Sequence, residues 1–145
     1  MSACHDEPLG FLLYRVVSSL RPQMAAELTP LGLGLPEFVC MRILSERPGL
    51  TSAELARGTH VSAQAANQVL RALEERGALS RRAGIPTGRA MPAQLTRRGK
   101  ALLKRAEAAV QRAEERILTR LTPEQQSQLK ELLHAAGTAG TESAS

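Results

Sequence analysis

A group of polar side chains near the middle of the chain is suited to reading the edges of nucleic-acid bases. Within one predicted helix, the outward positions are Gln64, Ala65, Asn67, Gln68 and Arg71. Glutamine and asparagine carry a donor and an acceptor on one planar amide, which matches the exposed edge of adenine, and arginine reaches a phosphate or a guanine. An ordinary solvated helix face is the alternative interpretation. The position of this face directly after a capped turn favours base reading.

The elements before this helix supply that turn. Thr51 and Glu54 have the spacing of a capping box, which predicts a short helix through Arg57. After a turn, Ser62 caps the second helix, and Gly77 ends it in the left-handed conformation that glycine adopts without a steric penalty. Two helices joined by such a short turn allow the second helix to lie in a DNA major groove.

After the second helix the pattern changes to a basic hairpin. Residues 78–83 and 89–95 are predicted strands on either side of a turn at residues 84–88. Pro92 has no amide proton to donate and therefore fits only an edge position. A two-stranded wing beside a recognition helix can insert one cation into the narrow minor groove, and Arg89 is the candidate for that contact.

The positive charge of the chain is concentrated in this same region. Residues 60–105 hold ten Lys or Arg against two acids, a net charge of +8, whereas the remaining residues have a net charge of −3. A local positive field attracts a polyanion and supplies sequence-independent affinity for a phosphate backbone. A solvated arginine-rich surface would show the same charge count, so charge alone leaves both readings open.

Composition narrows the class of protein. The 145 residues are enough for one domain, and the 2% aromatic content requires a core of aliphatic side chains, which favours helices. The chain has no apolar run near the roughly 20 residues that span a bilayer, and its first residues do not resemble a signal peptide, so we expect a cytoplasmic protein. We find no paired carboxylates, glycine-rich phosphate loop or nucleophile with an ordered base, which argues against an enzyme or a cofactor.

The cysteines and histidines predict neither a disulfide framework nor a metal site. Cys40 lies in an apolar stretch and is expected to pack as a small hydrophobic residue. Cys4, ahead of the first helix, would react with peroxide if a cation lowered the pKa of its thiol, so a redox-sensing regulator is an alternative function. The three histidines (His5, His60 and His134) do not have the spacing of metal ligands.

Helical patterns lie on both sides of the central unit. Residues 8–28 are predicted to form a helix that Pro22 bends or splits, and a second helix begins at Pro36 after a loop. Residues 97–121 form a predicted helix of about 25 residues, or roughly 37 Å. Thr122 then caps a last helix that is expected to end near residue 136.

These elements predict a mainly α fold with a small β wing. The long terminal helices are too apolar to be covered by a small winged lobe, so we expect them to form a homodimer interface. The expected organisation is an N-terminal dimerisation helix and loop (1–35), a winged helix-turn-helix lobe (36–96), C-terminal dimerisation helices (97–136) and a disordered tail (137–145).

The order and spacing of these elements resemble the MarR family of bacterial regulators. The motifs that carry the resemblance are residues 51–56, 62–77 and 88–100. Two positions depart from the family pattern: Thr87 stands where an acidic residue usually aims the wing arginine, and Gln68 stands where members often carry arginine. The opening residues and the alanine- and arginine-rich composition resemble actinobacterial, and in particular mycobacterial, members.

The resemblance implies a homodimeric repressor that binds a pseudo-palindromic DNA operator and is released by a small aromatic acid such as salicylate. A protein that coats DNA without sequence preference is the alternative outside this class. The predicted DNA contacts are Ser52, Ser62, Gln64, Ala65, Asn67, Gln68, Arg71, Arg81, Arg82 and Arg89. By position, the predicted effector slot between the lobe and the dimer helices consists of Phe11, Tyr14, Arg15, Phe38 and Met41, with Arg15 pairing a carboxylate.

Overall fold

A computed structural model describes residues 5–59, 61–81 and 92–142. Its helices are α1 (Leu9–Leu28), α2 (Leu35–Glu46), α3 (Ser52–Thr59), α4 (Ala63–Glu75), α5 (Arg97–Ile117) and α6 (Pro123–Glu142), with a 3-10 turn at Thr29–Leu31. Two short strands, β1 (Leu79–Arg81) and β2 (Ala93–Leu95), pair antiparallel with Leu79 opposite Leu95. The expectation of a mainly α fold with a small β wing is confirmed.

One continuous apolar core joins the lobe to the long helices. It combines Leu28 of α1, Met41 and Leu44 of α2, Leu70 of α4 and Val110 of α5, among other buried side chains. Helix α1 packs along α5, and α2 packs against both α4 and α5. Helices α1 and α5 therefore share a core with the winged lobe within a single chain, so the predicted boundaries at residues 35 and 96 do not separate independent folding units.

Local capping signals locate the helix starts as predicted. The Ser62 hydroxyl accepts from the Ala65 amide at 3.1 Å, and Thr122 and Gln125 exchange side-chain and backbone hydrogen bonds at 2.9 and 3.2 Å. The Thr51 hydroxyl accepts from the Glu54 amide at 3.2 Å. At the end of α4, Gly77 has a φ of 75°, the left-handed conformation expected from the sequence.

Helices α1, α3 and α5 differ from the predictions. Helix α1 continues through Pro22 without a break. The packing of Leu28 in the core and of Met24 against it holds the C-terminal half of the helix and compensates for the hydrogen bond that the proline cannot donate. Helix α3 extends to Thr59 instead of ending at Arg57. Helix α5 ends at Ile117 instead of residue 121. The side-chain amide of Gln126 donates to the carbonyls of Leu118 and Leu121, which follow the end of α5.

The last helix is also longer than expected. It continues to Glu142, whereas residues from 137 onward were predicted to be disordered. Glycine in a helix costs only about 1 kcal/mol relative to alanine, and the Thr138 hydroxyl donates to the carbonyls of His134 and Ala135, so Gly137 does not end the helix. No helix among the residues described is long and apolar enough to cross a membrane.

Exposed ion pairs connect the helices at the surface. Arg112 and Arg116 of α5 contact Glu27 of α1 at 3.1 and 2.8 Å. Hydrogen bonds from Arg116 and then Arg112 hold the pKa of Glu27 below its usual value of 4.5. Because the folded-state pKa is depressed, this contribution to stability is present above the unfolded-state pKa and is lost as the pH falls through the folded-state pKa.

The joint between α4, the wing and α5 depends on a glycine. A Cβ atom at Gly99 would lie 1.9 Å from the carbonyl oxygen of Ala78. Nearby, the Thr96 hydroxyl donates to the Gly77 carbonyl at 2.6 Å and accepts from the Gly99 amide at 3.0 Å. The first turn of α5 therefore rests directly on the backbone that follows α4.

We expect Gly99→Ala to lower the free energy of unfolding by about 1–3 kcal/mol, because the added methyl group must displace backbone. Urea denaturation followed by circular dichroism measures this loss. Gly58→Ala is the matched control, since its Cβ would meet only the end of Arg47 at an ordinary 3.6 Å. Equal stability of the two variants would show that the joint relaxes without cost.

Candidate nucleic-acid interface

The outward face of α4 has the exposure that a recognition helix requires. Gln64, Gln68 and Arg71 are exposed, whereas Ala65 and Asn67 are partly buried. The opposite face enters the core through Ala66, Leu70 and Leu73. The division between polar and apolar faces that the sequence predicts is therefore present in the structure.

The remaining predicted contacts lie around this face. Ser62 is the exposed cap of α4, and Ser52 is the partly buried first residue of α3. Arg81 is the last residue of β1 and is partly buried. Arg82 and Arg89 lie outside the described residues, as does the turn of the predicted hairpin.

Arg81 contacts α4 itself. Its Nη1 donates to Asn67 Oδ1 at 2.9 Å, and its Nη2 donates to the Asn67 carbonyl at 3.4 Å. Two residues that the sequence assigns separately to DNA are thus bound to each other. Fourteen residues separate them, so no local pattern in the sequence could show the pairing.

Arg76 has a role that the sequence analysis missed. It was counted only as part of the basic surplus, but its guanidinium donates to the carbonyls of Gly32 and Leu31 at 2.7 and 2.8 Å. The end of α4 is thereby attached to the connection between α1 and α2. Two nitrogens of this guanidinium are thus engaged within the protein, although its positive charge remains.

The five residues of the predicted effector slot are not assembled around one cavity. Met41 is completely buried in the core, and Phe38 is partly buried against that core. Phe11 and Tyr14 are exposed on α1. Arg15 already pairs with the carboxylate of Glu7 at 3.6 Å and lies over the Phe11 ring.

A different cavity lies between α1, α2, α3 and α4. Its volume is about 640 Å³, and its lining is mostly apolar, with Arg21 and Glu37 as the charged residues. Glu37 is engaged at the start of α2, where its carboxylate accepts from the Gly34 amide at 3.0 Å. Ala65 and Gln68 of α4 also line the cavity. A molecule bound there would touch residues of that helix.

Cys40 also lines this cavity, and it behaves as predicted for a packing residue. Its side chain is 6% exposed. Burial, with a smaller effect from the Glu37 carboxylate, raises the pKa of the Cys40 thiol to about 12. A thiol with that pKa is protonated at neutral pH and is a poor nucleophile. Cys4 lies outside the described residues, which also hold no group of three or more potential metal ligands.

The recognition helix, its capped turn and the paired wing strands define a winged helix-turn-helix protein. The sequence profile of the MarR family matches residues 33–84. The HTH-type transcriptional repressor Rv2887 of Mycobacterium tuberculosis is 56% identical over 137 residues, which cover 94% of this chain and 99% of the repressor. The chain belongs to the MarR family, as the sequence motifs predicted.

Solved structures of this relative superimpose on the fold. The crystal structure of M. tuberculosis Rv2887 in complex with DNA has a TM-score of 0.77 and covers 91% of this chain and 99% of that one, at 56% identity. The complex of Rv2887 with salicylic acid has a TM-score of 0.76, with 92% and 98% covered, also at 56% identity. The mycobacterial resemblance noted in the sequence agrees with these relatives.

We expect Ser62→Ala to lower the free energy of unfolding by about 1 kcal/mol, because the Ala65 amide loses its acceptor. Urea denaturation measures the change. The control is Ser45→Ala, at an exposed position inside α2, which removes a hydroxyl that caps no helix. If both variants were as stable as the wild type, the hydroxyl of Ser62 would not stabilise the start of the recognition helix.

Proposed function

We propose that the protein is a homodimeric transcriptional repressor that binds a pseudo-palindromic DNA operator and is released by a small aromatic acid. The exposed polar face of α4, directly after the Ser62 cap, is the observation that carries the proposal. The DNA complex of a 56% identical repressor supports it. Such a protein acts on chromosomal DNA in the cytoplasm, and the relatives' description as repressors supports a regulator rather than an enzyme.

The exposed faces of the terminal helices support the homodimer. Large apolar side chains are 41–70% exposed at Leu9, Phe11, Tyr14, Val16, Val17, Leu132 and Leu133. No side chain of α6 described by the structure, at residues 123–138, is buried. Apolar surface of this extent marks an interaction site. A second copy that covers α1 and α6 would present two recognition helices to successive major grooves, about 10 bp apart.

The cavity beside α4 supports control by an effector. Its apolar lining suits an aromatic ring, and Arg21 is positioned to pair with a carboxylate. This assignment replaces the slot proposed from the sequence, whose Met41 is buried in the core and whose Phe38 packs against that core. Because Gln68 lines the cavity and also faces outward on α4, a bound acid would change the DNA-facing surface. The ligand shifts the equilibrium by its differential affinity for the free and DNA-bound states.

The redox alternative receives no support from the described residues. The pKa of about 12 at Cys40 disfavours a reactive thiolate, and replacement of Cys4 by Ser tests the other thiol. A protein that coats DNA without sequence preference remains the competing function. The two functions differ in whether specific and random duplexes bind with equal affinity.

Fluorescence anisotropy with DNA that flanks the protein's own gene tests the proposal. We expect binding at least about 1,000-fold tighter than to random duplex of the same length, in a strongly salt-dependent manner. Sedimentation at micromolar concentration should show a dimer. Equal affinity for both duplexes would establish coating, and a folded monomer would remove the paired-groove arrangement.

We expect Arg21→Met to weaken salicylate binding about tenfold or more, because the carboxylate loses its charged partner. Isothermal titration calorimetry with salicylate measures the change. Arg120→Met, which removes an exposed cation in the turn before α6, is the matched control. An unchanged salicylate affinity in the Arg21 variant would locate the effector elsewhere.

A further inference from the structure

The contact between Arg81 and Asn67 determines which hydrogen-bonding atoms remain at the centre of the recognition helix. Arginine has only donors, so the atom of the Asn67 amide that faces its Nη1 at 2.9 Å must be the acceptor Oδ1. The Nδ2 group with its two protons is then the part of the amide left for a ligand. The free asparagine side chain considered in the sequence analysis would offer both a donor and an acceptor.

The geometry points to Arg81 as a positioning residue that makes Asn67 a donor-only contact. Resting on the proposed DNA-binding function, we infer that Asn67 reads the edge of guanine, which carries the two acceptors N7 and O6. The adenine edge requires a donor to N7 and an acceptor for the N6 protons. Here the acceptor Oδ1 already binds the Arg81 guanidinium. The positive charge of that group also disfavours the approach of the N6 amino group of adenine.

The wing holds the guanidinium in this position. Arg81 pairs with Ala93 in the two-stranded ladder, and its Nη2 also donates to the Asn67 carbonyl. Its Nε–H is buried without a hydrogen-bond partner among the described residues. In that same part of the chain, no carboxylate lies within ion-pair distance of Arg81. The position of the guanidinium is therefore fixed by the strand pairing of Arg81 and by its two hydrogen bonds to Asn67, without a contribution from an acidic residue.

This arrangement separates two roles that a wing arginine can have. A phosphate-binding arginine adds affinity for every sequence and contributes about one unit to the salt dependence of binding. An arginine that orients a base-reading amide changes preference at one base pair and leaves the salt dependence unaltered. The two roles therefore produce different signatures in one set of binding curves.

Selection of binding sites from a randomised duplex tests the inference. The Asn67→Ala variant identifies the base pair that depends on Asn67, and the wild type should select a G·C pair there. In Arg81→Met the amide is free to turn, so an A·T pair should become accepted, with the preference against it falling about tenfold. Titrations of the same variant at several salt concentrations should give the slope of the wild type.

Two further variants complete the test. Asn67→Asp keeps the contact with Arg81 but has no donor, so the wild-type preference for the G·C pair should be lost even if Arg81→Met folds poorly. Arg57→Met removes an exposed cation of α3 and should leave the preference at this base pair intact. An A·T pair selected by the wild type, an unchanged preference in Asn67→Asp, or a uniform loss of affinity with a lower salt slope in Arg81→Met would each overturn the inference. Selection of no sequence by the wild type would instead overturn the proposed function.

Discussion

The arrangement of the protein depends on the close approach of Gly99 to the carbonyl of Ala78. At this point the end of α4, both wing strands and the start of α5 meet, and a Cβ at position 99 would lie 1.9 Å from that oxygen. Thr96 completes the joint, since its amide donates to the Ala78 carbonyl at 3.1 Å and its hydroxyl to Gly77. The orientation of the recognition helix relative to α5, and thus to α1 along it, is set within these few residues.

A second set of contacts connects the recognition helix to the long helices. Arg76 attaches the end of α4 to the carbonyls of Leu31 and Gly32, and Arg42 of α2 pairs with Glu107 of α5 at 3.5 Å. These contacts are solvent-exposed, where ion pairs contribute little, typically about 0–1 kcal/mol. The joint at Gly99 is a close contact between backbone atoms, whereas these surface contacts are made by long exposed side chains.

The basic residues between positions 60 and 105 do not all have the same role. Two of the ten cations between residues 60 and 105, Arg76 and Arg81, donate to oxygens of the protein itself. Arg76 attaches the end of α4 to the connection between α1 and α2, and Arg81 orients the Asn67 amide. In the proposed function, phosphate contacts come from exposed cations such as Arg71, and the sequence preference depends on the contact between Arg81 and Asn67.

The sequence by itself determined the order of the elements, the caps at Thr51, Ser62 and Thr122, the end of α4 at Gly77 and the polar face of that helix. These features rest on hydrogen bonds and side-chain periodicity within a few residues, which a linear pattern contains. Tertiary structure alone decided that α1 continues through Pro22, that Met41 fills the core, and that the cavity is lined by Arg21. It also decided the pairing of Arg81 with Asn67 and of Arg76 with Leu31, because segments 14 and 45 residues apart meet only when the core has formed.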